Sequence, residues 1–100
     1  MKTAVTLLWV AQSRLVTPGT SLAAHVDSHM AFMFDLEAKG TLFASGPFVT
    51  DGKPNGSGIT IVRAGSADEA RAILERDPFV VAGLRTFDLH EWHVLEGTAR

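Results

Sequence analysis

One hundred residues, 46% of them apolar, make one small domain with room for a single core, and that apolar share excludes a disordered chain. Nine Lys and Arg against eleven Asp and Glu give a net charge of −2 with no basic run, so an electrostatic grip on a phosphate backbone has no evident source and no nucleic-acid partner is expected. Cysteine is absent, so disulfides, thiolate metal sites and a cysteine nucleophile are excluded as well.

Residues 3–10, "TAVTLLWV", are rich in β-branched and aromatic side chains and read as a first strand buried on both faces. Lys2 ahead of this run is superficially leader-like. The run is short, Thr6 interrupts it and no small-x-small cleavage site follows, so a strand is preferred to a signal peptide and the cytoplasm is the expected compartment. No stretch approaches the ~20 apolar residues of a membrane span, and no membrane partner is expected. "TPGTS" breaks the strand. Thr20 or Ser21 is placed to cap a long helix over 21–40, "SLAAHVDSHMAFMFDLEAKG", which Gly40 stops.

A second strand follows at 41–49, "TLFASGPFV", where the Gly46-Pro47 step removes a ladder hydrogen bond and marks a bend or an edge. "TDGKPNGSG" at 50–58 predicts a turn-rich loop with two hairpin signals, Asp51-Gly52 and Asn55-Gly56. Residues 59–65, "ITIVRAG", form the third strand. "SADEARAILERD" is a second helix opened by a Ser66-x-x-Glu69 capping box and stopped by Pro78. "FVVAGL" is then a short connection to the last strand, "RTFDLHEWHVL". The order β-α-β-β-α-β over a single domain, 1–100, fits an α+β ferredoxin-like sandwich, an antiparallel sheet with two helices on one face.

Strict alternation puts Phe87 and Leu89 on one side of the last strand and Trp92 and Val94 on the other. Both sheet faces therefore carry apolar weight, whereas a two-layer fold leaves one face open to water. A second copy laid sheet against sheet is the expected cover, making the chain a homodimer.

Four histidines raise the question of chemistry. At roughly 100° per residue, Leu22, Val26, Met30 and Met33 form one stripe of the first helix that faces the sheet. His29 lies on its edge, His25 further round beside Phe32, and Asp27 opposite His29, so "HVDSH" is not a three-ligand site. A metal would need a third ligand from elsewhere, and none is expected. His90 and His93 fall on opposite faces of the last strand. Asp77 is the more unusual residue: at the end of the second helix the helix dipole disfavours a carboxylate, which would gain from a cation such as His29 on the neighbouring helix. Asp77-Pro78 is equally a common turn former.

These residues carry a likeness. His29 with Gly40 eleven residues on, "ASGP" at 44–47, the "DG" loop, the capped helix at 66 and "DPFVVAGL" at 77–84 leading to Trp92 resemble the YCII-related domain family. The resemblance implies a ferredoxin-like chain that pairs into a dimeric α+β barrel, with His29 and Asp77 as an active-site pair facing a cleft. It implies no single substrate, although one member removes chloride from a chlorinated hydroxyhydroquinone. The segment before His29 has His25 and Asp27 where the family commonly has an Arg, so no anion contact there is carried over.

The expected function is a small-molecule enzyme, lyase- or isomerase-like, in which neutral His29 moves a proton on a small cyclic or carbonyl compound while Asp77 fixes its tautomer. That chemistry needs no cofactor. Ser45, Gly46 and Pro47 would form a close-approach wall, with Phe48, Phe79, Trp9 and His25 as further candidates to line the pocket. The alternative is a non-catalytic binding or accessory homodimer whose His-Asp pair only ties the helices together. A heme-handling member of the wider barrel group would instead need a histidine poised as an iron ligand.

Overall fold

The alternation in "TLLWVAQSRL" extends the first strand further than its apolar start. In a computed structural model, which describes residues 5–98, β1 runs over Thr6–Leu15. Trp9, Ala11 and Ser13 point to one side, Leu8, Val10 and Gln12 to the other, and the strand gains five residues beyond Val10. Thr3 and Ala4 of the expected strand lie outside the described residues, as do the ends of the expected 1–100 domain.

The remaining elements are a 3₁₀ turn at Ala23–His25, α1 at Val26–Ala38, β2 at Leu42–Thr50, β3 at Lys53–Val62, α2 at Ala67–Leu74, α3 at Pro78–Val81 and β4 at Arg85–Val94. The four strands form one antiparallel sheet in the order β2-β3-β1-β4, so the chain has the expected α+β, ferredoxin-like topology. Trp9, Ala11 and Val62 pack with Ala70 and Leu74 of α2, which identifies the helix-covered face. Leu8, Ile61 and Val94 cluster on the other face with Val10, Phe43 and Ile59. Phe87 and Leu89 belong to the first cluster and Val94 to the second, as alternation requires.

Three expectations are corrected. The loop expected over 50–58 is a two-residue turn, because Asp51 (φ 52°) and Gly52 (φ 78°) both adopt the positive φ that matches hairpin twist, and Thr50 pairs directly with Lys53. Residues 53–58 are therefore strand. The Asn55-Gly56 signal produces a bulge inside it, with the β2–β3 register shifting between Pro47 and Val49. At Gly58 a Cβ would stand 2.7 Å from the Gly46 carbonyl oxygen, so glycine is what lets the two strands close there.

The second correction concerns α1. A 3₁₀ turn precedes it, with Ser21 Oγ accepting from the Ala23 N–H, and this tighter turn puts Leu22 out of phase with a continuous α-helix. The inward face carries His29, Met33 and Leu36, while Val26 and Met30 of the expected stripe are 41% and 40% exposed. The third correction is "FVVAGL": Pro78 does not merely stop α2, which has already ended at Leu74, but opens the separate turn α3.

Leu36 is 1% exposed and Val81 73% exposed. Leu36→Ala is expected to lower the unfolding free energy by about 2–5 kcal/mol. Val81→Ala is expected to change it by less than ~0.5 kcal/mol. Urea denaturation of both variants checks the pair, and equal losses would contradict this placement of the core.

Candidate functional site

A four-residue helix cannot hold itself together, and α3 is fixed at its start by side chains. Pro78 occupies the first turn, where its missing N–H costs nothing, and Asp77 Oδ1 caps the helix by accepting from the Phe79 N–H at 2.9 Å. Asp77 is thus at the favourable end of a helix, not the unfavourable end of α2 as its sequence position implied.

The same Oδ1 lies 2.9 Å from His29 Nδ1. A carboxylate only accepts, so Nδ1 carries the hydrogen and Nε2 is left as the basic nitrogen of the neutral ring. The two side chains are 21% and 16% exposed, which shields their bond from water while leaving the ring edge reachable. Phe79, itself buried, stacks on the imidazole with centroids 4.1 Å apart and planes at 16°. Orientation of His29 is therefore fixed by one hydrogen bond and one ring face.

His29, Asp77 and Phe79 line a cavity of about 250 Å³ on the helix-covered side, at the end of the sheet. Ser45, Gly46 and Pro47 of β2 form part of the opposite wall, so six of the sequence-predicted residues come together. His25 and Phe48 do not line this cavity. His25 ends the 3₁₀ turn, and Phe48 stands at the bulge, 40% exposed. Trp9 is core: it is 5% exposed, and its indole N–H donates to the Ala64 carbonyl at 3.0 Å.

Sequence reasoning missed four polar residues of the wall, Ser13, Ser57, Thr60 and Arg85. Arg85 opens β4 and donates from Nη2 to Ser13 Oγ at 3.0 Å. Thr60 Oγ1 is 2.9 Å from Ser45 Oγ. Burial pushes the Arg85 pKa below its ordinary value, and the nearby Asp77 carboxylate pushes back in the opposite direction. Alternation was the available signal, since Arg85 falls on the same side as Phe87 and Leu89, a charge on a covered face.

A second cavity of about 490 Å³ shares His29 and the Ser45-Gly46-Pro47 wall and continues along Met30, Met33, Phe34, Glu37, Leu42 and Phe43. Among the described residues no group of three or more His, Asp or Glu side chains is gathered as a metal site. His90 Nε2 instead meets Gln12 Oε1 at 3.0 Å, and His93 Nε2 meets Glu91 Oε2 at 2.6 Å. No described helix is long and apolar enough to cross a membrane.

The model of the YCII-related domain family matches residues 5–93. Among solved structures, the chain is similar to 5-chloro-2-hydroxyhydroquinone dehydrochlorinase from Burkholderia phenoliruptrix AC1100, solved in complex with 2,5-dihydroxybenzoquinone. The two share 31% identity and superpose with a TM-score of 0.60, covering 87% of this chain and 93% of that chain. Comparison with curated proteins gives no match.

The two roles of Asp77 separate by substitution. Asp77→Ala, which removes the α3 cap, is expected to cost about 1 kcal/mol of stability or somewhat more. Asp77→Asn keeps a capping oxygen and should remain within ~0.5 kcal/mol of the wild type. Two-bond ¹H–¹⁵N spectra should find His29 protonated on Nδ1 in the wild type, with the Nε2–H form gaining in Asp77→Ala. A wild-type His29 protonated on Nε2 would remove that nitrogen from the role of base.

Proposed function

The chain belongs to the YCII-related domain family, and from that premise we propose that it is a small-molecule enzyme that transfers a proton, or eliminates a leaving group, on a small cyclic or carbonyl compound. The observation that carries this reading is the His29 Nδ1 to Asp77 Oδ1 bond at 2.9 Å in the wall of a cavity. Nε2 takes the substrate proton, and Asp77 is a positioning residue that holds the tautomer and favours the imidazolium that forms. In an elimination the electron pair of the broken C–H or O–H bond moves into the ring system and the leaving group departs with its own bonding pair. Removal of HCl, the reaction named for the similar dehydrochlorinase, has this balance. These steps use the chain's own residues and require no cofactor.

Pairing belongs to the same proposal. The sheet face away from the helices presents Val10, Ile59 and Trp92 around the buried Leu8, with Trp92 41% exposed. Its rim carries the Gln12–His90 hydrogen bond and the Arg14–Asp88 ion pair. A second copy, sheet against sheet, would remove the apolar centre from water and leave the rim solvated.

Chloride release from 5-chloro-2-hydroxyhydroquinone, alongside a panel of related hydroxyquinones, tests the catalytic reading. Activity should fall about 10²–10⁴-fold in His29→Gln. Asp77→Asn should lower kcat with little change in KM and alter the pH–rate profile, which a purely structural role would not do. An active wild type with an equally active His29→Gln would sink the assignment. For pairing, sedimentation should find a species of twice the 10.7 kDa chain mass. Trp92→Glu should shift it towards the single chain, and a wild type of one chain mass at all concentrations would rule the dimer out.

A further inference from the structure

Arg85 is a half-buried cation that feels the field of Asp77 in the same cavity but has no carboxylate in direct contact with it. It is half-buried at the first position of β4, on the side of the sheet that holds Phe87 and Leu89. Among the described residues its hydrogen-bonding partner is Ser13 Oγ, and no carboxylate stands within ion-pair distance. A guanidinium has five N–H donors, so several remain. The contrast with Arg14 is direct. Arg14 lies on the opposite face, and its Nη1 meets Asp88 Oδ2 at 2.9 Å. Arg85 faces the same cavity as His29, and the Ser45–Thr60 hydroxyl pair lines that cavity too. One hydroxyl hydrogen of that pair is used between the two oxygens, and the other is left to donate.

We propose that Arg85, held in place by Ser13, binds an anionic oxygen carried by a planar ring, and that this contact selects the compounds the cavity takes. Planar guanidinium against planar carboxylate or ionised ring hydroxyl is a charge-assisted contact, about twice as strong as a neutral one. A cavity of about 250 Å³ takes a single ring of this kind. Both the carboxylate and the ionised hydroxyl offer the same chemistry to Arg85. The proposal rests on the reading of this cavity as the substrate site and adds the charge of what enters it.

The test is titration calorimetry of the full chain with three probes: 2,5-dihydroxybenzoquinone, ionised at neutral pH; benzoate, a ring carboxylate; and hydroquinone, an uncharged ring. The wild type is expected to prefer at least one anion to hydroquinone, and the preferred probe identifies the source of the negative oxygen. Arg85→Gln should weaken that anion about 10- to 100-fold and leave hydroquinone unchanged. Arg85→Lys should recover part of the loss, since the charge returns without the fork. Ser13→Ala should weaken binding less, as it removes the tether but keeps the cation, and thermal melts verify that each variant is folded. Wild-type turnover of 5-chloro-2-hydroxyhydroquinone, read beside the binding, keeps the two readings apart: Arg85-dependent binding without turnover upholds the anion contact and defeats the catalytic reading. An Arg85→Gln variant that binds the anion as the wild type does would overturn the proposal, as would a wild type with no preference for either anion.

Discussion

One carboxylate oxygen, Asp77 Oδ1, accepts from both the Phe79 N–H and His29 Nδ1, and the rest of the site is organised around that shared acceptor. The bond to Phe79 starts a helix too short to persist alone. The bond to His29 ties that helix to α1, and it does so through the ring whose other nitrogen is available for chemistry. Phe79, placed by the cap, then stacks on the imidazole it helped to position. Folding of the segment "DPF" and aiming of His29 are consequently one event. A substitution that spoils the cap also removes the hydrogen-bond partner of His29, and one that preserves an oxygen at that point separates the two effects.

Around this centre, charge is arranged with little surplus. Arg85 loses hydration on burial and regains part of that loss from the field of Asp77. The carboxylate therefore serves a helix terminus, an imidazole and a guanidinium at once. Neutralising it would be felt at all three, so effects of changes among Asp77, His29 and Arg85 should not add. The sheet supplies rigidity to the other side: Ser13, Ser45, Thr60 and Arg85 are all strand residues, held by β1–β3, β2–β3 and β1–β4 pairing. Polar groups on strands hold their spacing better than groups on loops.

The order of elements was legible because each rests on a local cause: alternation along the last strand, the Ser66 to Glu69 cap, the Gly40 stop. Ser66 Oγ does accept from the Glu69 N–H, while Glu69 Oε2 reaches the Gly65 N–H one residue further back. Contact between His29 and Asp77 was also expected, although for a mistaken reason. By residue type Pro78 can end α2, but Pro is as well suited to begin a helix, and only the tertiary burial of Phe79 decides between the two. The phase of α1 was misjudged because a 3₁₀ turn cannot be separated from an α-turn by residue type. Arg85 and Ser13 went unnoticed although their alternation was plain, since a charge at the first position of a strand ordinarily points to water.

The position of His29 between two unlike cavities also restricts what can react there. On one side lie Arg85, Asp77, Ser13 and the Ser45–Thr60 pair with Leu22 and Phe79; on the other are Met30, Met33, Phe34, Phe43 and Glu37, and His29, Ser45, Gly46 and Pro47 belong to both linings. Gly46 contributes no side chain to that shared wall, and a Cβ there would meet nothing within 4 Å. An anionic ring would meet opposite charges on the two sides, the guanidinium of Arg85 and the carboxylate of Glu37, and would be drawn towards the first. A ring that places its charged oxygens towards β4 and its apolar edge towards α1 satisfies both. Under the proposed function, such a ring would bring its reacting bond to the boundary between the two linings, where the imidazole stands.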